Sequence, residues 1–167
     1  AKFYLKTNTA VSDQFYQHCE AFPIYGTGQG SGNSPHLWCF VSSVLFDAFQ
    51  EQAPRASFYS YDGKQSIKLF MIGFVDDCSQ RVNDFQAHPQ PTVATLVSMM
   101  EKDAQLWNNL LWSSGGALEV PKCSFQVIET DWSNRGRPFL QGICNAPPLR
   151  IQTDTTVIRV KQISNYQ

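Results

Sequence analysis

An excess of positive charge is the first thing this sequence lacks: 13 Lys and Arg residues stand against 14 Asp and Glu, a formal net charge of −1. A protein that holds nucleic acid by itself draws most of its affinity from neutralised phosphates and usually carries a basic excess. Any such role would need basic surface from parts outside this chain. Paired cysteines are missing too. Cys19, Cys39, Cys78, Cys123 and Cys144 are odd in number, scattered and without a Cys-x-x-Cys pair. That argues against a disulfide framework or structural zinc and for a reducing intracellular compartment, cytoplasm or nucleus. His18, His36 and His88 fall at no metal-ligand spacing. No apolar run reaches the roughly 18 residues of a membrane span, so no membrane partner is expected. No signal peptide is visible and the first residue is Ala1; the opening stretch reads as mid-domain chain, and N-terminal truncation is the expectation.

What is present suits one domain with its own core: 167 residues, 43% of them hydrophobic. Val11 to Tyr16 reads as a strand edge or a short turn. A glycine-rich run from Gly26 to Gly32 leads to Ser34, a natural N-cap, and Pro35, suited to a first helical position. The helix from Pro35 to Gln52 is apolar around most of its circumference and should be buried. Asp62-Gly63-Lys64 is a hairpin turn between Ser57–Tyr61 and Ser66–Val75, and the second arm reads as a central strand. Cys78 to Phe85 is a returning strand or a loop. From Thr92 to Ser113 the apolar residues Val93, Leu96, Val97, Met100, Ala104, Trp107, Leu110 and Leu111 repeat at helical spacing, with Thr92 or Thr95 as cap and Gly115-Gly116 as terminator. Strand-like segments follow at Ala117–Val120, Cys123–Asp131 and Thr156–Ile163, with a turn at Ser133–Gly136. Hairpins beside segregated helices argue for an α+β fold.

Phe74-Val75-Asp76-Asp77 is the most informative tetrapeptide. Repulsion and desolvation oppose two adjacent carboxylates at the end of an apolar strand unless cations sit nearby. Magnesium favours carboxylate and phosphate oxygens together. A solvated turn is the plain alternative for this pair taken alone. The Gly26–Ser34 loop is a candidate phosphate cradle at a helix N-terminus, although no Gly-Lys-Ser/Thr follows and the spacing is not that of a dinucleotide fingerprint. A surface loop is the plain reading there.

Order along the chain lifts both features above background. Gln29-Gly30-Ser31-Gly32-Asn33-Ser34-Pro35, then a helix, then a hairpin carrying Phe-Val-Asp-Asp, resembles the palm of reverse transcriptases, with their Gln-Gly-x-x-x-Ser-Pro and Phe/Tyr-Ala/Val-Asp-Asp motifs. Gly115-x-x-Leu118-x-x-x-Lys122 keeps the Gly-to-Lys spacing of the next palm motif. The resemblance runs from about Tyr25 to Ser124 and is closest to the non-LTR retrotransposon and group II intron branch. Glu119 stands where the family usually has Asn, and Gly32-Asn33 replace a frequent Pro-Leu. The aspartate of the family's earlier palm motif has no counterpart before Tyr25, where Asp13 and Glu20 sit outside any such motif.

The resemblance implies an α+β polymerase palm, an antiparallel sheet packed on two main helices and truncated at its N-terminus. Residues 1–131 would be partial palm, and 132–167 a C-terminal palm hairpin or the start of the following region. It implies that Asp76 and Asp77 bind metal, two Mg2+ ions in the complete enzyme, and that Lys122 lies near the triphosphate as a proton donor to pyrophosphate. Gln29 and Gly30 would shape the template and nucleotide pocket with Phe74 beside it, and Ser34 and Pro35 would start the supporting helix. The implied partners are an RNA template, a DNA primer, deoxynucleotides and the upstream remainder of the polymerase. The implied function is RNA-directed DNA synthesis for a mobile element, with this chain inactive alone. The alternative is a decayed or non-catalytic palm-fold remnant that acts as a nucleic-acid-binding or interaction module.

Overall fold

The computed structural model describes residues 2–6, 9–17, 32–53, 56–74, 77–83, 91–133, 135–140 and 145–164. The chain divides into two units, Ala1–Trp38 and Cys39–Gln167. In the first, β1 (Lys2–Lys6) pairs antiparallel with β2 (Val11–Gln17), with a register shift between Tyr4 and Lys6. Of the two readings open for Val11 to Tyr16, strand edge or short turn, the strand is the one present, and β1 is its partner.

The helix α1 (Ser34–Gln52) starts in the first unit and continues into the second. Its first helical hydrogen bond runs from the Leu37 N–H to the Asn33 carbonyl at 3.0 Å. Asn33 thus occupies the cap position, one residue ahead of the expected Ser34. The expectation of a fully buried helix is corrected. Leu45 and Phe49 are buried, whereas Leu37, Phe40 (70% exposed) and Val44 are open to solvent. Apolar residues circle the helix, but packing partners gather on the side that carries Leu45, Phe46 and Phe49.

Next, β3 (Ala56–Tyr59) and β4 (Ser66–Leu69) form the expected antiparallel hairpin. Gly63 adopts φ 69°, a left-handed conformation that glycine takes without steric cost. Asp62 accepts hydrogen bonds from the Ser60 hydroxyl at 2.7 Å and the Lys64 N–H at 3.1 Å, and these, the Ser60 bond foremost, hold its carboxyl below the ordinary carboxylate value. Asn83 covers the outer edge of β3: its Oδ1 accepts the Ser57 N–H at 2.8 Å, and its Nδ2 donates to the Ser57 carbonyl at 3.3 Å.

The expected single strand from Ser66 to Val75 is divided at Phe70, whose ring packs on Phe46 and Phe49 at centroid distances of 6.5 and 6.4 Å. After the break, β5 (Met71–Phe74) pairs antiparallel with β6 (Asp77–Gln80). The returning strand is thus realised, but the second arm is not a strand buried on both sides, since Ile67 and Ile72 are exposed.

Helix α2 (Val93–Ser113) follows the predicted pattern. The Thr92 hydroxyl accepts the Thr95 N–H, and the helix closes through Gly115 at φ 84° and a Gly116 N–H bond to the Leu111 carbonyl. The segment expected as a strand at Ala117–Val120 instead leads into a 3-10 turn, Val120–Lys122. Pro121 explains the change, because it has no N–H for a ladder and its fixed φ suits a helical turn. The remaining strands are β7 (Ser124–Phe125), β8 (Thr130–Trp132), β9 (Pro138–Leu140), β10 (Arg150–Gln152), β11 (Val157–Arg159) and β12 (Lys161–Gln162). The Ser133–Gly136 turn joins β8 to β9, with Gly136 at φ 67°.

Among the described residues the strands pair two by two: β8–β9 and β10–β11 are antiparallel like the earlier hairpins, and β7–β12 is parallel. Among the described residues the fold is mixed α+β, with two α-helices and several small ladders. Two clusters hold the second unit together. In one, Trp107 of α2 stacks on Phe46 at 5.5 Å and meets Phe49 edge-on at 5.8 Å. In the other, Val97 packs with Val120, Leu149, Ile151 and Val160. Burying a side chain of this size contributes roughly 1.5–3 kcal/mol, so these contacts outweigh the exposed surface ion pair Lys64–Asp62.

Polar side chains then fasten α2 to β10. Glu101 accepts the Arg150 N–H, Gln105 pairs with the Gln152 backbone, and Asn108 donates to the Gln152 carbonyl. Four helical residues advance about 6 Å, close to the roughly 6.7 Å of two strand residues. Glu101 and Gln105 therefore meet Arg150 and Gln152 in register.

Candidate functional site

Strand β5 ends at Phe74 and β6 begins at Asp77, and these two residues are direct cross-strand partners. Met71 anchors the hairpin in the core. Its middle is fixed at Gly73, where an added Cβ would stand 2.6 Å from Cζ of Phe46. Only a residue without a side chain lets the α1 ring lie against the strand there, so the hairpin that carries the aspartates is seated on α1 through Phe46.

Asp77 is exposed, and among the described residues its carboxylate makes no hydrogen bond or ion pair. An exposed carboxylate with free lone pairs is a suitable donor for a hard cation such as Mg2+. Val75 and Asp76 lie outside the described residues. Among the described residues no group of three or more His, Cys, Asp and Glu stands close enough to hold a metal. The donor type fits magnesium, and Asp77 is the single member of the expected pair that the structure describes.

Of the other expected site residues, Gln29 and Gly30 also lie outside the described residues. Ser34 and Pro35 open α1 in the first unit, whereas Asp77 and Lys122 belong to the second. Lys122 closes the 3-10 turn, exposed, with its N–H bonded to the Glu119 carbonyl at 2.9 Å. That turn packs on β11 through buried Val120. No hydrogen bond or ion pair joins the Asp77 and Lys122 side chains.

Two buried polar residues of α2 carry roles that the sequence pattern did not single out. Asn108, 2% exposed, accepts the Leu118 N–H at 3.4 Å and donates to the Gln152 carbonyl at 3.3 Å. Asp103, 4% exposed, has its carboxyl pushed up to about 6 by burial. Its position was legible as a charge between Met100 and Trp107 on the apolar stripe, at spacings of three and four. Among the described residues no helix is long and apolar enough to cross a membrane.

No protein family, curated protein or solved structure matches this chain.

Proposed function

We propose that this chain is palm-derived sequence of an RNA-directed DNA polymerase of a mobile element. The observation that carries the reading is the Phe74-Val75-Asp76-Asp77 tetrapeptide. It joins β5 to β6 with Phe74 and Asp77 as cross-strand partners, and it falls between the Gln29–Pro35 and Gly115–Lys122 motifs in the order of a palm. In this reading Asp76 and Asp77 hold magnesium together with a further carboxylate that the described residues do not supply. The metal would activate a primer 3′-hydroxyl and offset the charge of leaving pyrophosphate. Lys122 would give a proton to that pyrophosphate. Gln29 and Gly30 would line the template and nucleotide pocket beside Phe74, and Ser34 and Pro35 would start the helix behind it.

The test is primer extension on an RNA template with Mg2+, using the reading frame together with whatever precedes Ala1, beside an Asp76→Ala, Asp77→Ala control. The expected result is DNA synthesis that disappears in the control. A folded extended protein that makes no DNA would favour the non-catalytic remnant instead. Processive extension by the present chain alone would contradict the proposal that another carboxylate is required.

A further inference from the structure

Arg150 and Arg159 are direct partners across β10–β11. The flanking hydrogen bonds of this hairpin run from the Val160 N–H to the Leu149 carbonyl at 2.9 Å and from the Thr153 N–H to the Thr156 carbonyl at 2.8 Å. Ladder bonds recur at every second residue, so Arg150 and Arg159 form a non-hydrogen-bonded pair. In such a pair both side chains rise from one face, with Cβ atoms about 4.5–5.5 Å apart. The opposite face carries Ile151 and Ile158, which enter the core. Both arginines are exposed, and among the described residues neither side chain makes an ion pair or hydrogen bond. The neighbouring Glu101 carboxylate accepts the Arg150 backbone N–H at 2.8 Å.

Like charges placed directly opposite each other destabilise a hairpin, and the core contacts of β10–β11 come from the other face. An external anion would turn this arrangement into an attractive one. Lys102 adds a third cation, since it and Arg150 line a groove of about 490 Å³ between α2 and the hairpin. Glu101 lines it too, its carboxylate bonded to the Arg150 N–H, so two cations face one carboxylate there and Arg159 stands beside them. An adjoining groove of about 310 Å³ shares Gln105, Asn109 and Gln152 with it and is walled by Trp112, 48% exposed. Asp154 also lines this second groove, so phosphate is disfavoured there and a neutral base is not. The chain as a whole has no basic excess, but these local cations at one end and an indole with amides at the other match a short stretch of single nucleic-acid strand, whose phosphates pair with Arg and Lys and whose bases stack on aromatic rings.

We propose that Arg150, Arg159 and Lys102 form a docking site for the phosphate backbone of a single-stranded nucleic acid, with Trp112 as its stacking surface. The choice of nucleic acid over other polyanions rests on the polymerase reading; the placement of charge does not.

The test is fluorescence anisotropy of a labelled single-stranded RNA, without Mg2+ or nucleotides, as a function of salt. Flotation with phosphatidylserine vesicles runs in parallel. The present chain is compared with Arg150→Gln/Arg159→Gln, Arg150→Lys/Arg159→Lys and Trp112→Ala, each shown by circular dichroism to be folded. The glutamine pair is expected to weaken binding at low salt about tenfold or more and to flatten the salt slope by about 0.7 for each phosphate no longer neutralised. The lysine pair should keep the slope. Trp112→Ala should weaken binding roughly 5- to 150-fold at unchanged slope. Failure of the present chain to bind RNA at low salt, an unchanged slope in the glutamine pair, or binding to vesicles in preference to RNA would each overturn the site. Because no synthesis is read, failure here leaves the primer-extension test standing, and the converse also holds.

Discussion

Gln105 grips both ends of one backbone unit on β10: its Oε1 accepts the Gln152 N–H at 2.7 Å, and its Nε2 donates to the Gln152 carbonyl at 3.1 Å. A helix side chain thereby does what a neighbouring strand would do for this residue. Asn108 adds a second donor to the same carbonyl. The outer edge of β10 is thus covered by α2, which blunts an edge otherwise open to strand addition.

Removal of these amides should cost unequally. Asn108→Ala removes a buried side chain and leaves the half-buried Leu118 N–H without its acceptor; it should destabilise by about 2 kcal/mol, whereas Gln105→Ala, at a more accessible site, should cost about 1 kcal/mol. Urea titration measures both. The two substitutions share the Gln152 carbonyl, so a double-mutant cycle should be non-additive. Additive losses would mean that the amides act independently.

Gly73→Ala should destabilise the chain by about 1–3 kcal/mol. The new methyl would meet the Phe46 ring at 2.6 Å, and that ring is held by its stack on Trp107. In a Phe46→Leu background the same substitution should cost markedly less, which denaturation of the four-member cycle reads directly. An equal cost in both backgrounds would separate Gly73 from Phe46.

Phe49, 1% exposed, lies between Phe70 and Trp107. Phe49→Ala should cost about 3–5 kcal/mol, a large share of the stability of a domain this size. Phe40→Ala, in the exposed stripe of the same helix, should stay within about 0.5 kcal/mol. Comparable losses at the two positions would mean that the Phe40 side of α1 is covered in solution.

Asp103 makes stability depend on pH. Burial raises its folded pKa from the ordinary 3.8 to about 6, so the folded chain holds this proton more tightly than the unfolded one. The stabilisation is full below about 3.8, falls as pH rises through about 6, and is absent above that. After allowance for solvent screening of the carboxyl, the difference is on the order of 1 kcal/mol. Asp103→Asn should remove this component of the pH dependence and be the more stable form at neutral pH. Denaturation midpoints across the acid range provide the check, and parallel pH profiles for the two proteins would contradict it.

The parts of the fold that were legible in the sequence are those set by local chemistry. Thr92 caps α2 because a hydroxyl at the start of a periodic apolar run meets free N–H groups. Gly63 and Gly136 mark turns because their backbones take positive φ. What local pattern could not supply was competition between partners. Ser66 to Phe74 is one strand-like run by composition, but Phe70 turns onto α1 and splits it between β3 and β6. Helix α1 reads as apolar on most sides, although only the packed side is buried. In the candidate site the sequence singles out the Asp76-Asp77 pair; the structure adds the exposure of Asp77, its cross-strand relation to Phe74 and the Phe46–Gly73 contact beneath the hairpin.

By itself the sequence determined the α+β class, both helices, the hairpin turns and the order of the palm-like motifs, because capping, periodicity and turn chemistry act over a few residues. The tertiary structure alone decided that Glu101 and Gln105 meet Arg150 and Gln152 in register, that Asp103 is buried, and that Arg150 faces Arg159. The last two of these relationships are unfavourable, and the first joins α2 to a strand 47 to 49 residues further along the chain. They exist because burial of Val97, Val120, Leu149, Ile151 and Val160 outweighs the cost of the polar and charged groups carried along with them.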